Sequence, residues 1–208
     1  MVTQALRDFG LTHPVVAAAC CSAVARMAFD QCENSTRLNQ GGAPSAVLAA
    51  MGAHAQDAHV AAAACAAIGA LTLTLDEEGV YKARLGELGA CEAVVEALRA
   101  HGLSHPTVAD KGCDAVRCLV DSCPTNQVRF FDAGVAKVLV AAMQAYAEDA
   151  DVQLSGAYAV YFLADHPDTK LALVLAGAKI TLDAIRNNHN LEDYLVDTAL
   201  NACQKLQS

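Results

Sequence analysis

Nine cysteines and seven histidines in 208 residues are the obvious chemical resource of this chain, and their spacing limits what they can do. Cys113, Cys118 and Cys123 follow one another at intervals of five, which on a helix turns each about 140° from the last. A zinc site wants ligands as C-x-x-C or four apart on one face, so this run reads as small apolar core residues. His54 and His59 flank AQDA without a nearby cysteine to complete a ligand set, and read as solvent-facing loop residues. A nucleophilic cysteine needs a placed histidine and an orienting group, and no local signature supplies them. GGAPSA and AGVAK lack the G-x-x-x-x-G-K-[ST] arrangement of a phosphate loop. Glu148, Asp149 and Asp151 cluster in a turn and read as solvated carboxylates. No catalytic residue, cofactor or metal ligand is assigned from these groups.

One histidine-bearing stretch occurs twice. GLTHPVV at 10–16 returns as GLSHPTV at 102–108, 92 residues later. Read as a hinge, each copy needs only a helix after it. Thr12 or Ser104 is expected to cap that helix, and Pro14 or Pro106 suits its first turn, where a missing N–H costs nothing.

The elements that carry these stretches are built from small apolar residues. The apolar share is 54%, yet only 5% is aromatic and there is no Trp, so Ala, Val and Leu supply the core. With 5 Pro and 13 Gly, that mixture favours helices. The longest uncharged stretch, 59–75, is mostly Ala and too short for a membrane span, so it reads as a buried helix. The start MVTQALRDFG has no signal-peptide pattern, and nine cysteines then point to reduced thiols in a cytoplasmic setting. On the same ground the formal glycosylation triplet Asn34–Thr36 is discounted. A formal net charge of −9 disfavours nucleic acid and favours a basic peptide or protein as partner.

Self-similarity organises the whole chain. Segments starting at Asn34, Tyr81, Asn126 and Thr169 align, each with a glycine eight residues in: Gly42, Gly89, Gly134 and Gly177. The glycines are 47, 45 and 43 residues apart. A longer helical pattern opens 18 or 19 residues after each, at Val60, Val108, Val152 and Leu195. Counting that residue as zero, offset 4 holds Ala64, Gly112, Gly156 or Ala199. Offset 8 holds Ile68, Val116, Val160 or Cys203, and offset 11 always holds Leu. These offsets share one face of a helix, and the small residue at offset 4 predicts close approach by a neighbour. Val16, Cys20, Val24 and Met27 fit the same template near the N-terminus.

This order of a short helix, a glycine turn, a second helix, a loop and a longer third helix resembles the armadillo repeat, as in the beta-catenin and importin-alpha families. Asn34 and Asn126 before their glycines, and the Ala-Gly before the second helix, favour armadillo over the related HEAT repeat. The resemblance covers nearly the whole chain. It implies an all-α, right-handed superhelical solenoid, with a partial repeat at 1–29 and full repeats at 30–73, 74–121, 122–165 and 166–208. The loop LDEEGVY at 75–81 carries an acidic insertion that accounts for the longest spacing. A solenoid end needs a polar cap, so the chain is expected to be a piece of a longer protein or to be capped imperfectly by its first residues.

In that architecture the third helices line a concave face, and offsets 3, 6 and 10 point away from the core. The rows read Ala19, Ser22, Arg26; then Ala63, Ala66, Ala70; then Lys111, Asp114, Cys118. They end with Ser155, Tyr158, Phe162 and with Thr198, Asn201, Lys205. Importin-alpha-like repeats carry Trp at the sixth offset and Asn at the tenth to hold a basic peptide, and this chain has neither. An all-Ala row suits a packed helix or folded partner, and exposed aromatics are favoured anchors. Arg26, Lys111, Asp114, Tyr158, Phe162 and Asn201 are the expected partner-binding residues of a non-catalytic protein-interaction module or scaffold. Two alternatives remain: a structural subunit that assembles through its solenoid ends, and an α-solenoid enzyme or cofactor carrier using scattered Cys and His.

Overall fold

The computed structural model describes residues 1–29, 31–74, 79–187 and 192–207, so most of the acidic insertion read at 75–81 lies outside the described residues. Among the described residues the chain is all helix and turn. Two helices come first, α1 (Val2–Phe9) and α2 (Pro14–Ala28). Four triplets follow, each a short, a middle and a long helix. They are α3 (Cys32–Gln40), α4 (Ala43–Ala53) and α5 (Ala58–Leu71), then α6 (Val80–Glu87), α7 (Ala90–His101) and α8 (Pro106–Val120). The third comprises α9 (Pro124–Ala133), α10 (Val135–Ala145) and α11 (Ala150–Leu163), the fourth α12 (Pro167–Leu175), α13 (Ala178–Arg186) and α14 (Asp193–Gln207).

The four anchor glycines make the turn between short and middle helices. Gly42, Gly89, Gly134 and Gly177 have φ of 76°, 90°, 78° and 90°, a left-handed conformation that side chains resist. The loops before the long helices use two chemistries at one repeat position, three residues before Val16, Val60, Val108 and Val152. Asp57 and Asp149 are true N-caps: each Oδ1 accepts from two backbone N–H groups of the first turn. At His13 and His105 the side chain makes no cap hydrogen bond, and proline occupies the first turn instead. Thr12 and Ser104 are therefore not caps. Proline fixes the start of the helix, leaving the hydroxyls one residue too early, and they donate back to the carbonyls of Phe9 and His101 at 3.3 Å. The copied stretch closes one helix while opening the next.

The long helices α2, α5, α8, α11 and α14 pack side by side. Their template positions form the core: Val60, Ala64, Ile68 and Leu71 on α5 are fully buried, as are Val152, Val160 and Leu163 on α11. The small residue at offset 4 has the expected cause. A Cβ on Gly112 would lie 2.6 Å from Leu98 Cδ2, and one on Gly156 2.6 Å from Met143 Cγ. The template fails on α2, where Val16 and Cys20 are only half-buried and Met27 is 46% exposed. Of the four template residues only Val24 is buried, alongside Ala17, Cys21 and Ala28. This helix has a long neighbour on one side only, α5, so its buried stripe rotates by about one residue toward that side.

Polar side chains of the short helices tie up the ends of the long helices, both across units and within them. The last carbonyls of a helix have no partner within it. Asn126 Nδ2 donates to Leu119 O of α8 and to Lys82 O of α6, and Asn34 Nδ2 donates to Met27 O, the equivalent carbonyl of α2. Asn39 Nδ2 and Ser35 Oγ donate to Leu71 O of α5, and Gln127 Nε2 to Phe162 O of α11. The asparagines that marked the repeat thus hold helix ends across units. Asn126 Oδ1, by contrast, is buried without a partner.

Candidate functional site

The packing of α2, α5 and α8 leaves a cleft of about 410 Å³ on the face away from the core. Its floor is Ala66, Gly69 and Ala70 of α5, residues too small to fill the space between the flanking helices. Arg26 and Phe29 of α2 form one wall, Lys111, Asp114 and Arg117 of α8 the other, and Leu73 closes the end. Three of the six residues singled out from sequence, Arg26, Lys111 and Asp114, therefore border one cavity. A second cleft of about 490 Å³ continues it toward the helix starts, sharing Ala66 and Lys111 and reaching Ala19 and Ser22.

The two walls differ electrostatically. Arg26 is exposed and has no hydrogen-bond or ion-pair partner among the described residues. Arg117 binds Asp114 Oδ1 through Nε and Nη2, at 2.9 and 2.7 Å, and its Nη2 also lies 3.2 Å from Cys118 Sγ. Lys111 pairs with Asp110 at 2.7 Å. Burial alone would lower the Lys111 ammonium, but the hydrogen bond to Asp110 and the charges of Asp110, Asp114 and Asp151 together hold it above its ordinary value. At the base, burial pushes the Cys118 thiol up to about 11, with Asp114 adding to the effect. It is a neutral thiol near neutral pH, not an activated nucleophile.

Beyond α8 the same face is filled. The Phe162 ring packs edge-on against Tyr161 at 5.3 Å. Lys205 Nζ of α14 sits 3.9 Å above the Tyr161 ring and 2.7 Å from Asp165. Phe162 is half-buried, Tyr158 is 38% exposed, and Asn201 is exposed on α14. None of the three borders the cleft of α2, α5 and α8. Sequence reasoning missed Arg117, Phe29 and Leu73, which stand at offsets 9 and 13. These lie about 180° and 220° round the wheel, so a stripe one residue wider would have held them. It also drew Ala63 and Ala70 as an open row; α5 is flanked on both sides, and both are buried.

The other chemical groups are engaged structurally. All nine cysteines are free thiols, and Cys113, Cys118 and Cys123 are buried. Among the described residues no three His, Cys, Asp or Glu side chains are arranged to hold a metal ion. A larger opening, about 630 Å³, lies at the loop edge beside His54, His59, His101 and His105. There His54 is not a free loop residue: its Nε2 lies 2.7 Å from Gly10 O, and His101 Nε2 lies 2.9 Å from Ala55 O. Asp57 is taken up there as a cap, and Gln56, His59 and His105 also line the opening; the concave cleft differs in carrying a cation, Arg26, with no partner among the described residues. Asp149, read from sequence as solvated, is likewise a cap. No helix among the described residues is long and apolar enough to cross a membrane.

Triplets of helices, glycine turns between the first two, and long helices side by side define an α-solenoid of armadillo type. A designed armadillo repeat protein, solved in complex with the peptide (KR)4, superposes with a TM-score of 0.79 at 19% identity, over 99% of this chain and 80% of that one. An engineered protein solved by the Northeast Structural Genomics Consortium gives 0.81 at 20% identity, over 100% of this chain. This chain spans about half, 48%, of that protein's length. A further designed armadillo repeat protein gives 0.62 at 16% identity, covering 99% of this chain. No family model and no curated protein matches by sequence.

Proposed function

We propose that this chain is a non-catalytic protein-interaction module that holds a peptide or folded partner on its concave face. The observation that carries the reading is the open cleft between α2, α5 and α8, a small-residue floor between charged walls. Such a slot admits a bulky side chain that the chain itself does not supply, the usual form of an anchor pocket. An armadillo-type neighbour solved with a peptide supports the same use of the fold. Repeat boundaries at 30–73, 74–121, 122–165 and 166–208 belong to the same proposal, and buried reduced thiols support a cytoplasmic setting. The test is a peptide-display selection on wild type, counter-screened with Ala66→Phe, whose ring fills the slot. Ligands are expected to be lost from the variant while its circular dichroism is unchanged. Ligands that bind both equally sink the concave-face reading.

A second reading has its own observation. Val16 and Met27 are left half-buried and exposed, although their counterparts on α5, α8 and α11 are buried. Such an end face suits stacking with another solenoid end. Sedimentation velocity is expected to give a mass that rises with concentration and reverts in Met27→Glu; a monomer at every concentration argues against it.

A further inference from the structure

The cleft differs in charge from the molecule that holds it. The chain carries 23 acidic against 14 basic residues, a net charge of −9 that by itself favours a basic partner. Yet three cations, Arg26, Lys111 and Arg117, line the cleft of α2, α5 and α8 against one carboxylate, Asp114. That carboxylate is already engaged: Asp114 Oδ1 takes both Nε and Nη2 of Arg117. Lys111 is neutralised from outside the cleft by Asp110, which also accepts from Ser155 Oγ at 3.1 Å. Arg26, on the facing wall, has no partner among the described residues. Among the described residues the cleft therefore presents one unspent guanidinium, while its single carboxylate is ion-paired through Oδ1 and keeps on Oδ2 only the Cys118 thiol, 3.9 Å away. Beside it, Phe29 is 63% exposed and Leu73 37%, over the Ala66, Gly69 and Ala70 floor. Apolar surface and a cation without a partner among the described residues, within one slot, are complementary to an apolar side chain next to an anion.

We propose that the cleft's occupant is an acidic peptide segment, one that seats a bulky apolar side chain on the Ala66–Ala70 floor and sets an adjacent Asp or Glu carboxylate against Arg26. This rests on the concave-face reading above and gives its partner a chemistry. The pairing is directional, because a guanidinium offers two parallel N–H donors to a carboxylate. It also inverts the expectation from net charge: the acidic bulk surface repels such a peptide everywhere except here, which favours one register over sliding.

The experiment uses the full chain and three fluorescein-labelled peptides of one sequence, with Phe beside Glu, Gln or Lys at the neighbouring position. Fluorescence anisotropy is expected to rank Glu above Gln above Lys, with at least a tenfold gap between the extremes, narrowing as salt is raised. Arg26→Glu is expected to reverse the order. Ala66→Phe is expected to abolish binding of all three. If binding depends on Ala66 but the Lys peptide is tightest, or Arg26→Glu leaves the order unchanged, the acidic-segment inference is overturned while the concave face stands. If Ala66→Phe binds as wild type does, both are overturned. Should no peptide bind wild type, the peptide-anchor form of both is overturned.

Discussion

The two halves of the concave face make the same surface in opposite ways. On α5 the outward row shrinks to alanine, and between α2 and α8 a cleft of about 410 Å³ stays open beside Arg26, which has no partner among the described residues. Over α11 and α14 the equivalent positions carry Phe162 and Lys205. These close on Tyr161 and Asp165, so the face satisfies itself. Beneath both halves the four triplets share one framework: leucine at offset 11, a small residue at offset 4, a left-handed glycine before each middle helix. A repeat fold allows this because each unit is stabilised by its core and its neighbours, leaving the outward rows free to diverge.

If the framework is shared, the largest effects should ignore the division. Leu119→Ala and Leu163→Ala, one in each half and both buried, are each expected to cost about 2–5 kcal/mol in urea unfolding. A cost confined to one half would break the comparison. Gly112→Ala is expected to cost about 1–3 kcal/mol, because the new Cβ meets the branched, buried Leu98. Gly156→Ala should cost less, since its neighbour Met143 is flexible enough to shift.

Alkaline pH weighs more on the open half, although burial raises the Cys203 thiol of α14 as well. Burial pushes Cys21 and Cys65 up to about 12 from an ordinary 9.0, and Cys118 up to about 11; all three lie on α2, α5 and α8. Raised thiols favour the folded state while they stay protonated. Their contribution is thus intact below pH 9 and lost as pH rises from 9 toward 12, at about 1.4 kcal/mol per unit for each thiol. Melts at pH 8 and pH 10.5 are expected to show the loss, and Cys65→Ala to flatten it; an unchanged slope in that variant counts against the cause. The smallest difference concerns the surface cations. Lys205→Met should cost about 1 kcal/mol through the Tyr161 ring and Asp165, whereas Arg26→Met should change stability by less than about 0.5 kcal/mol. Equal costs in thermal melts would mean that Arg26 is not spare.

Periodicity made the framework readable from sequence, because a glycine turn and a helical stripe are local and recur. Neighbours decided the rest. The stripe on α2 rotates since one flank lacks a long helix, and Thr12 loses the cap to proline geometry at Pro14. His54 reaches Gly10 O, 44 residues away in sequence, which no spacing rule anticipates. For the candidate site, the outward rows located Arg26, Lys111 and Asp114, but the depth of the cleft depends on how closely α5 is flanked. That is a property of three helices together. Tyr158 and Phe162 are on the face by the wheel, yet Tyr161, one position from Phe162, takes part in filling it.

The open half can be watched directly through its floor. With alanine methyl groups carbon-13 labelled, a selected peptide is titrated into the protein and methyl shifts are followed by NMR. The predicted result is that Ala66 and Ala70 move first and furthest, with Ala199 and Ala202 of α14 unmoved. Largest shifts on α14, or on alanines of the middle helices α4 and α7, would contradict the claim that the cleft of α2, α5 and α8 is where this protein binds.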